Sequence, residues 1–484
     1  MNFKKQILQP VREAMYNYPN RNAFYIQDEA YTYRQFAERV SAIRGVIRAA
    51  EVNEQIWGLV IGDNLNTYAS IFALWMEGKC YMPLHPTWPA DRIDDIKKQV
   101  GCTNVLDNCD APYTEDLLDD WRDVSEDDLA YILFTSGSTG VPKGVQISRK
   151  NIAAFMDSFW RTGIKIDETD KCMQVFDLTF DVSVQSYLVA LTRGACCYTV
   201  PYGQVKYLYA AGLIQEQGIT FGAMAPSMLT YLRPYFDEFD ASSMKVCILT
   251  AEACQVDLME EWYKCAKNTE IYDFYGPTEA TIYCTYYKLT RGSNNLSLNG
   301  IISIGKPMAN VQAIIIDENG NVIPEMSGAE YKGELCVAGP QVTPGYWKND
   351  KKNVSSFFEK DGVRYYHTGD LTYWDESGNI MYSGRIDQQA KIQGFRVELG
   401  EIEYHAREYF NKEKRVMAIA FQNDKNLTEI AMFIESQQED TKALEEYMRS
   451  KMPHYMIPTR YVFLLEFPLN KSEKVDRNAL KLNI

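Results

Sequence analysis

The chain has 484 residues, 46% hydrophobic and 24% charged, an ordinary globular composition that suits about two to four domains and excludes a mostly disordered protein. Its 50 basic and 65 acidic side chains leave a net charge of −15, which argues against a general nucleic-acid binder, since phosphate backbones call for clustered Lys and Arg. Eleven cysteines, scattered apart from the adjacent Cys196–Cys197, show no CxxC or Cys/His zinc spacing, and only four histidines are present, so a histidine metal cluster is not expected.

The N-terminal stretch MNFKKQILQPVREAMYNYPN lacks the apolar core of a signal peptide, and no apolar run approaches the ~20 residues of a membrane helix. A cytoplasmic protein without membrane insertion is expected. Short apolar runs alternate with amphipathic ones, the pattern of an α/β fold. In chain order, the spacing predicts a helix over 33–49, strands over 57–61 and 130–135, and a helix over 151–160, with Ser148 at its N-cap. Strands follow over 219–225, 245–250, 311–316 and 334–338, and a helix over 442–450. Residues 388–484 carry 15 basic and 15 acidic groups, so the whole charge excess lies before them. That shift suggests a large acidic body and a small neutral cap joined near Asp387.

The most informative stretch is Tyr131–Gly144, YILFTSGSTGVPKG, an apolar strand running into small and hydroxyl residues. Gly137 and Gly140 let backbone N–H groups approach an anion. Thr135, Ser136, Ser138 and Thr139 add hydroxyl donors, and Lys143 adds charge. A polyphosphate fits this loop, although the GxxxxGK[ST] spacing of a Walker A loop is absent. A plain Ser/Gly turn would share the composition but not the order of residues.

That order, TSGSTGVPKG, resembles the signature of the adenylate-forming (acyl-activating) superfamily. YGPTEAT at Tyr275–Thr281, YHTGDL at Tyr366–Leu371 and GRIDQQAKIQGFRVELGEIE at Gly384–Glu403 follow in the order of that family. A weaker NKSEKVDR closes the set, and with GKCYMPLHPTWPADRI early on the resemblance covers nearly the whole chain. It implies an α/β body over 1–387, with α/β subdomains and a small β-barrel-like subdomain. A small mobile α+β cap over 388–484 would turn about Asp387.

The resemblance also implies roles. ATP and Mg²⁺ are the expected cofactors. Tyr275 would offer its ring to adenine beside Asp273, Phe274 and Gly276. Thr278 would reach a phosphate, and Glu279 would hold Mg²⁺ through a hard carboxylate oxygen. Asp370 would accept hydrogen bonds from the ribose hydroxyls, with Arg385 and Tyr382 nearby. Lys143 would hold the outer phosphates, and Lys474 would be the catalytic lysine stabilising charge at the α-phosphate. Glu473 stands where the family usually has glycine.

The segment Phe180–Val184, FDVSV, resembles the amino-acid-activating branch, where the aspartate at Asp181 pairs with the substrate ammonium. Asp177 is a competing candidate on a shifted alignment. The side-chain pocket projects onto Val182, Gln185, Ala223 and Leu249, and onto Ala251, Phe274, Ile282 and Tyr283. The bulk of Phe274 and Tyr283 favours a small or modestly polar amino acid.

The chain ends soon after Lys474 and has no Gly-x-Asp-Ser attachment site for phosphopantetheine. The resemblance therefore implies transfer to a separate phosphopantetheinylated carrier protein, or to coenzyme A. It leans toward a stand-alone D-alanine–D-alanyl carrier protein ligase over a nonribosomal peptide synthetase adenylation domain. An acyl- or aryl-CoA ligase is the alternative.

Overall fold

The computed structural model describes residues 2–484 except 136–141, 293, 388 and 470–474. Ser136, Gly137, Ser138, Thr139, Gly140 and Lys474 thus lie outside the described residues. The chain divides into two compact units. One comprises Met1–Pro86, Gln99–Leu133 and Gly144–Ile386. The other gathers Thr87–Lys98 and Phe134–Lys143 with Asp387–Ile484.

The first unit is built on a nine-stranded sheet whose centre is parallel: Lys171–Gln174, Phe221–Met224, Val246–Thr250 and Glu270–Tyr275. Apart from Lys171 and Glu270 at their starts, these runs are buried, as strands covered on both faces must be. A second sheet of five strands includes Ile56–Val60, Cys80–Leu84 and Leu129–Thr135. A third, antiparallel and six-stranded, contains Gly333–Ala338, Val363–Trp374 and Ile380–Arg385. This last sheet is the small β-rich part expected from the sequence, and the mixed α/β architecture is the one expected.

Local chemistry explains where the helices begin. Ser148 caps the helix Arg149–Trp160 in a reciprocal box with Asn151. Thr32 does the same with Gln35 for Tyr33–Ala49. Helix Asp181–Leu191 is buried along its entire length, so its sequence shows little amphipathic pattern.

The second unit holds a three-stranded sheet, Val416–Gln422, Thr428–Glu435 and Arg460–Leu464, with helices Leu399–Tyr409 and Lys442–Arg449 packed against a shared apolar core. A hairpin of Gln389–Ile392 and Phe395–Glu398 precedes it. Among the described residues, no helix is long and apolar enough to cross a membrane.

Candidate active site

Three adjacent parallel strands of the large sheet end side by side. Ala223 lies on the first, Leu249 on the second, and Asp273, Phe274 and Tyr275 on the third, with Ala251 just beyond the second. The carboxyl edge of a parallel sheet is where α/β folds bind ligands. Alternation along Glu270–Tyr275 sends Phe274 into the core beside Tyr283, with ring centroids 5.0 Å apart. Tyr275 joins a different apolar cluster, against which Tyr382 packs.

Beyond Tyr275 the chain doubles back on itself. A Cβ on Gly276 would lie 2.5 Å from the Ile282 carbonyl oxygen and 2.6 Å from Tyr283 Cα, so only glycine fits. Thr281 and Ile282 then take left-handed conformations, φ 56° and 73°, which β-branched residues adopt at a cost. The fold holds that strain through Gln341, whose carbonyl accepts from Thr281 Oγ1 at 2.5 Å and whose Nε2 donates to the Tyr283 carbonyl at 2.7 Å.

The strained turn aims the Ile282 N–H at Asp181 Oδ2, 3.3 Å away. Asp181 is the first residue of its helix, where a negative charge is favoured by the helix dipole. It is buried, and burial pushes its carboxyl up to about 6, against hydrogen bonds from Thr278 and the Ile282 N–H. Asp177 differs. Burial would raise its carboxyl too, but His85 Nε2 at 2.9 Å and two hydrogen bonds from Thr179 hold it below the usual range. Asp177 has a histidine partner within the fold, whereas Asp181 meets amide and hydroxyl donors.

One turn along the helix, Gln185 accepts a long 3.4 Å hydrogen bond from the Tyr283 hydroxyl. Gln185, Ala223, Leu249, Phe274, Ile282 and Tyr283 are all at most 1% exposed. Val182 is also buried, and Ala251 is half-buried.

Elsewhere in the same unit, Asp370 and Arg385 are direct partners across antiparallel strands, with Arg385 Nη1 2.9 Å from Asp370 Oδ1. The Tyr275 hydroxyl donates to the other oxygen, Oδ2. Asp370 is buried and Arg385 partly buried, so the pair is largely shielded from solvent. Glu279 is buried as well and accepts at 2.5 Å from the Tyr346 hydroxyl. A carboxylate oxygen there is the hard donor that Mg²⁺ prefers, so the residue fits the ion.

In the second unit, Lys143 Nζ lies 2.9 Å from Glu398 Oε1, which also accepts from Gln389 Nε2 at 2.8 Å. Thr135 Oγ1 reaches the Lys143 carbonyl at 3.5 Å. Asp387 Oδ1 accepts from the Gln389 N–H at 3.2 Å.

A family model described as "AMP-binding enzyme" matches residues 11–123 and 110–347. The chain belongs to the AMP-binding enzyme family. It is thereby a member of the adenylate-forming superfamily. It is 30% identical over 98% of its length to tyrocidine synthase 1 of Brevibacillus parabrevis, of which it covers 45%. To bacitracin synthase 3 of Bacillus licheniformis it is 29% identical over 98% of its length, covering 8% of that protein. The chain thus spans less than half the length of either relative. The fold is that of the Vibrio cholerae adenylation domain AlmE, solved with glycyl-adenosine-5'-phosphate. That similarity has a TM-score of 0.89 and 23% identity, and covers 100% of this chain and 98% of that one.

Within this AMP-binding enzyme, sequence reasoning missed Tyr346, His85 and Gln341. Tyr346 comes from a loop 67 residues beyond Glu279, and His85 from one 92 residues before Asp177. No spacing rule pairs either residue with its partner, although His85 lies in the quoted stretch GKCYMPLHPTWPADRI. The Gly-Tyr pair at 345–346 is the nearest signal, because Gly345 sits at φ 142° with Asn353 Oδ1 where a Cβ would be.

Proposed function

We propose that the chain is an ATP-dependent amino acid adenylating ligase that passes its product to a phosphopantetheine thiol. The observation that carries this reading is Asp181, a buried carboxylate that meets only neutral donors among the described residues, beside a partnered Asp177. A buried carboxylate is costly unless it meets a cation, and the α-ammonium of an amino acid supplies one. A fatty or aryl acid would leave it unmatched, which disfavours the acyl- or aryl-CoA ligase reading. Gln185, Ala223, Phe274, Ile282 and Tyr283, onto which the side-chain pocket projects, are fully buried, and the bulk of Phe274 and Tyr283 supports a small side chain, down to glycine. The glycyl ligand named for the AlmE structure is in keeping with that size.

In the first step the substrate carboxylate attacks the α-phosphorus of ATP and pyrophosphate leaves, giving aminoacyl-AMP. Asp181 orients the ammonium, Asp370 and Arg385 hold the ribose side, and Tyr275 lies beside the adenine. Lys143 and the Thr135–Gly140 loop take the outer phosphates. Lys474 supplies positive charge as charge builds on the phosphate oxygens. Mg²⁺ held at Glu279 would neutralise phosphate charge when bound. In the second step a thiolate attacks the activated carbonyl and AMP departs, leaving a thioester. Turning of residues 388–484 about Asp387 would remove Lys474 between the steps. A carrier protein is the acceptor we favour. The chain matches, at 20% identity and TM-score 0.84, a nonribosomal peptide synthetase protein described as containing adenylation and PCP domains. A D-alanine–carrier ligase is one form of this activity.

ATP–pyrophosphate exchange over D- and L-amino acids, fatty acids and aryl acids tests the reading. Exchange confined to one or a few small amino acids is expected, and exchange confined to acids without an amino group would overturn it.

A further inference from the structure

Outside the adenylating site, three metal-ligating side chains of different kinds converge on one face of the six-stranded sheet. Glu334 and Cys336 are two residues apart on the strand Gly333–Ala338, so their side chains share a face. His367 stands directly opposite Cys336 on the neighbouring antiparallel strand. His367 Nδ1 lies 2.8 Å from Glu334 Oε2 and 3.7 Å from Cys336 Sγ, and the three ligand atoms all lie within 4.8 Å of one another. Among the described residues this is the one such group of three.

We propose that Glu334, Cys336 and His367 form a binding site for a borderline divalent transition metal, Zn²⁺ in kind, distinct from any magnesium that accompanies ATP. Tetrahedral zinc with bonds of about 2.0–2.3 Å to O, N and S has ligand–ligand edges of roughly 3.3–3.6 Å. The Nδ1···Sγ edge is already near that value. The Nδ1···Oε2 edge opens to it by a small rotation of the Glu334 side chain.

The mixed sulfur, nitrogen and oxygen set selects a borderline ion over Mg²⁺, which takes oxygen ligands. Cys336 is buried, while the Glu334 and His367 side chains are 21% and 30% exposed, so an ion enters from their side and the fourth position faces solvent. On loading, Cys336 gives its thiol proton to solvent, and His367 binds through a deprotonated Nδ1 in place of its contact with Glu334. The second oxygen of Glu334 keeps its hydrogen bond from the Gly369 N–H at 2.9 Å, an outer-shell contact that orients the ligand. Gly369 precedes Asp370, so the site ties directly to the strand that carries the ribose-side carboxylate. The arrangement is invisible to spacing rules because strand pairing, not chain proximity, unites Cys336 with a histidine 31 residues away.

The test is Co²⁺ titration of the chelator-stripped full chain, read by visible absorption. We expect one equivalent to give tetrahedral bands with a thiolate-to-cobalt charge-transfer band, displaced by one equivalent of Zn²⁺ and not by excess Mg²⁺. Cys336→Ser should abolish the charge-transfer band, and His367→Gln should lower affinity at least ~10-fold, both with native far-UV circular dichroism. If Cys336→Ser does not fold, the partly exposed His367→Gln decides alone. Absence of the charge-transfer band, its persistence in Cys336→Ser, or unchanged affinity in His367→Gln overturns the proposal.

Discussion

The backbone N–H of Ile282 points at Asp181 Oδ2 from 3.3 Å, and it does so from a left-handed conformation that isoleucine rarely adopts. The contact joins a helix start to a strained turn 101 residues away. It leaves Asp181 with hydrogen bonds that partly offset its burial. Because burial lifts this carboxyl to about 6, an ammonium substrate binds best to the form present above that pH. The kcat/KM for the amino acid should therefore rise with pH through about 6 in the free enzyme, and Asp181→Asn should remove that acid limb. A profile unchanged in the variant would detach the limb from Asp181.

Asp370 is buried against the partly buried Arg385, so removing the carboxylate leaves the guanidinium without that partner. Asp370→Ala should destabilise the fold by about 1–3 kcal/mol, measured by denaturant unfolding. Asp370→Asn, which keeps the shape, should raise the KM for ATP in pyrophosphate exchange and narrow the preference for ATP over 2'-deoxy-ATP. Equal discrimination in wild type and variant would argue against a ribose contact.

Lys143 is held by Glu398 at 2.9 Å, and if Lys143 takes the outer phosphates as proposed, a nucleotide must draw the lysine away from that partner. Glu398→Gln should lower the KM for ATP several-fold with little change in the KM for the amino acid. An ATP KM that stays constant would mean that the ion pair does not compete with phosphate.

Gly276 is fixed by close approach and not by its own dihedral angles. Gly276→Ala would force its Cβ against backbone atoms at 2.5–2.9 Å, which no side-chain rearrangement relieves. A loss of about 1–3 kcal/mol in stability is expected, with a larger loss in adenylation as Thr281 and Ile282 shift. Thermal unfolding and exchange kinetics check both.

His405, in the second unit, is partly buried; burial first, then Arg92 and Lys451, push its imidazole down to about 4. Between about 4 and its ordinary value near 6.5 the unfolded chain binds more protons than the folded one, so stability falls as pH drops through that window. His405→Gln should flatten this dependence in unfolding measurements from about pH 7 to 5.

Much of the fold was legible because its signals are local. Ser148 stands three residues before Asn151 and caps the predicted helix, and the apolar runs near 57–61, 245–250 and 334–338 became strands with ends shifted by at most one residue. Asp370 and Arg385 were placed near each other by the resemblance alone, and their direct pairing came from the register of two antiparallel strands. Contacts made by tertiary packing were not legible. Gly276 meets the 282–284 backbone, Tyr346 meets Glu279, and His85 meets Asp177, and in each case the deciding partner is set by the fold. The FDVSV match favoured Asp181 over Asp177, and the physical difference between them, the histidine beside Asp177, came from the fold.

The pairing of a substrate ammonium with Asp181 is the central claim. Pyrophosphate exchange should be measured for wild type and Asp181→Asn with the preferred amino acid and with its des-amino analogue. A wild-type preference of at least ~100-fold for the amino acid, largely lost in Asp181→Asn, is predicted from the cost of leaving a buried charge unpaired. Equal exchange of both acids by the wild type would contradict that pairing.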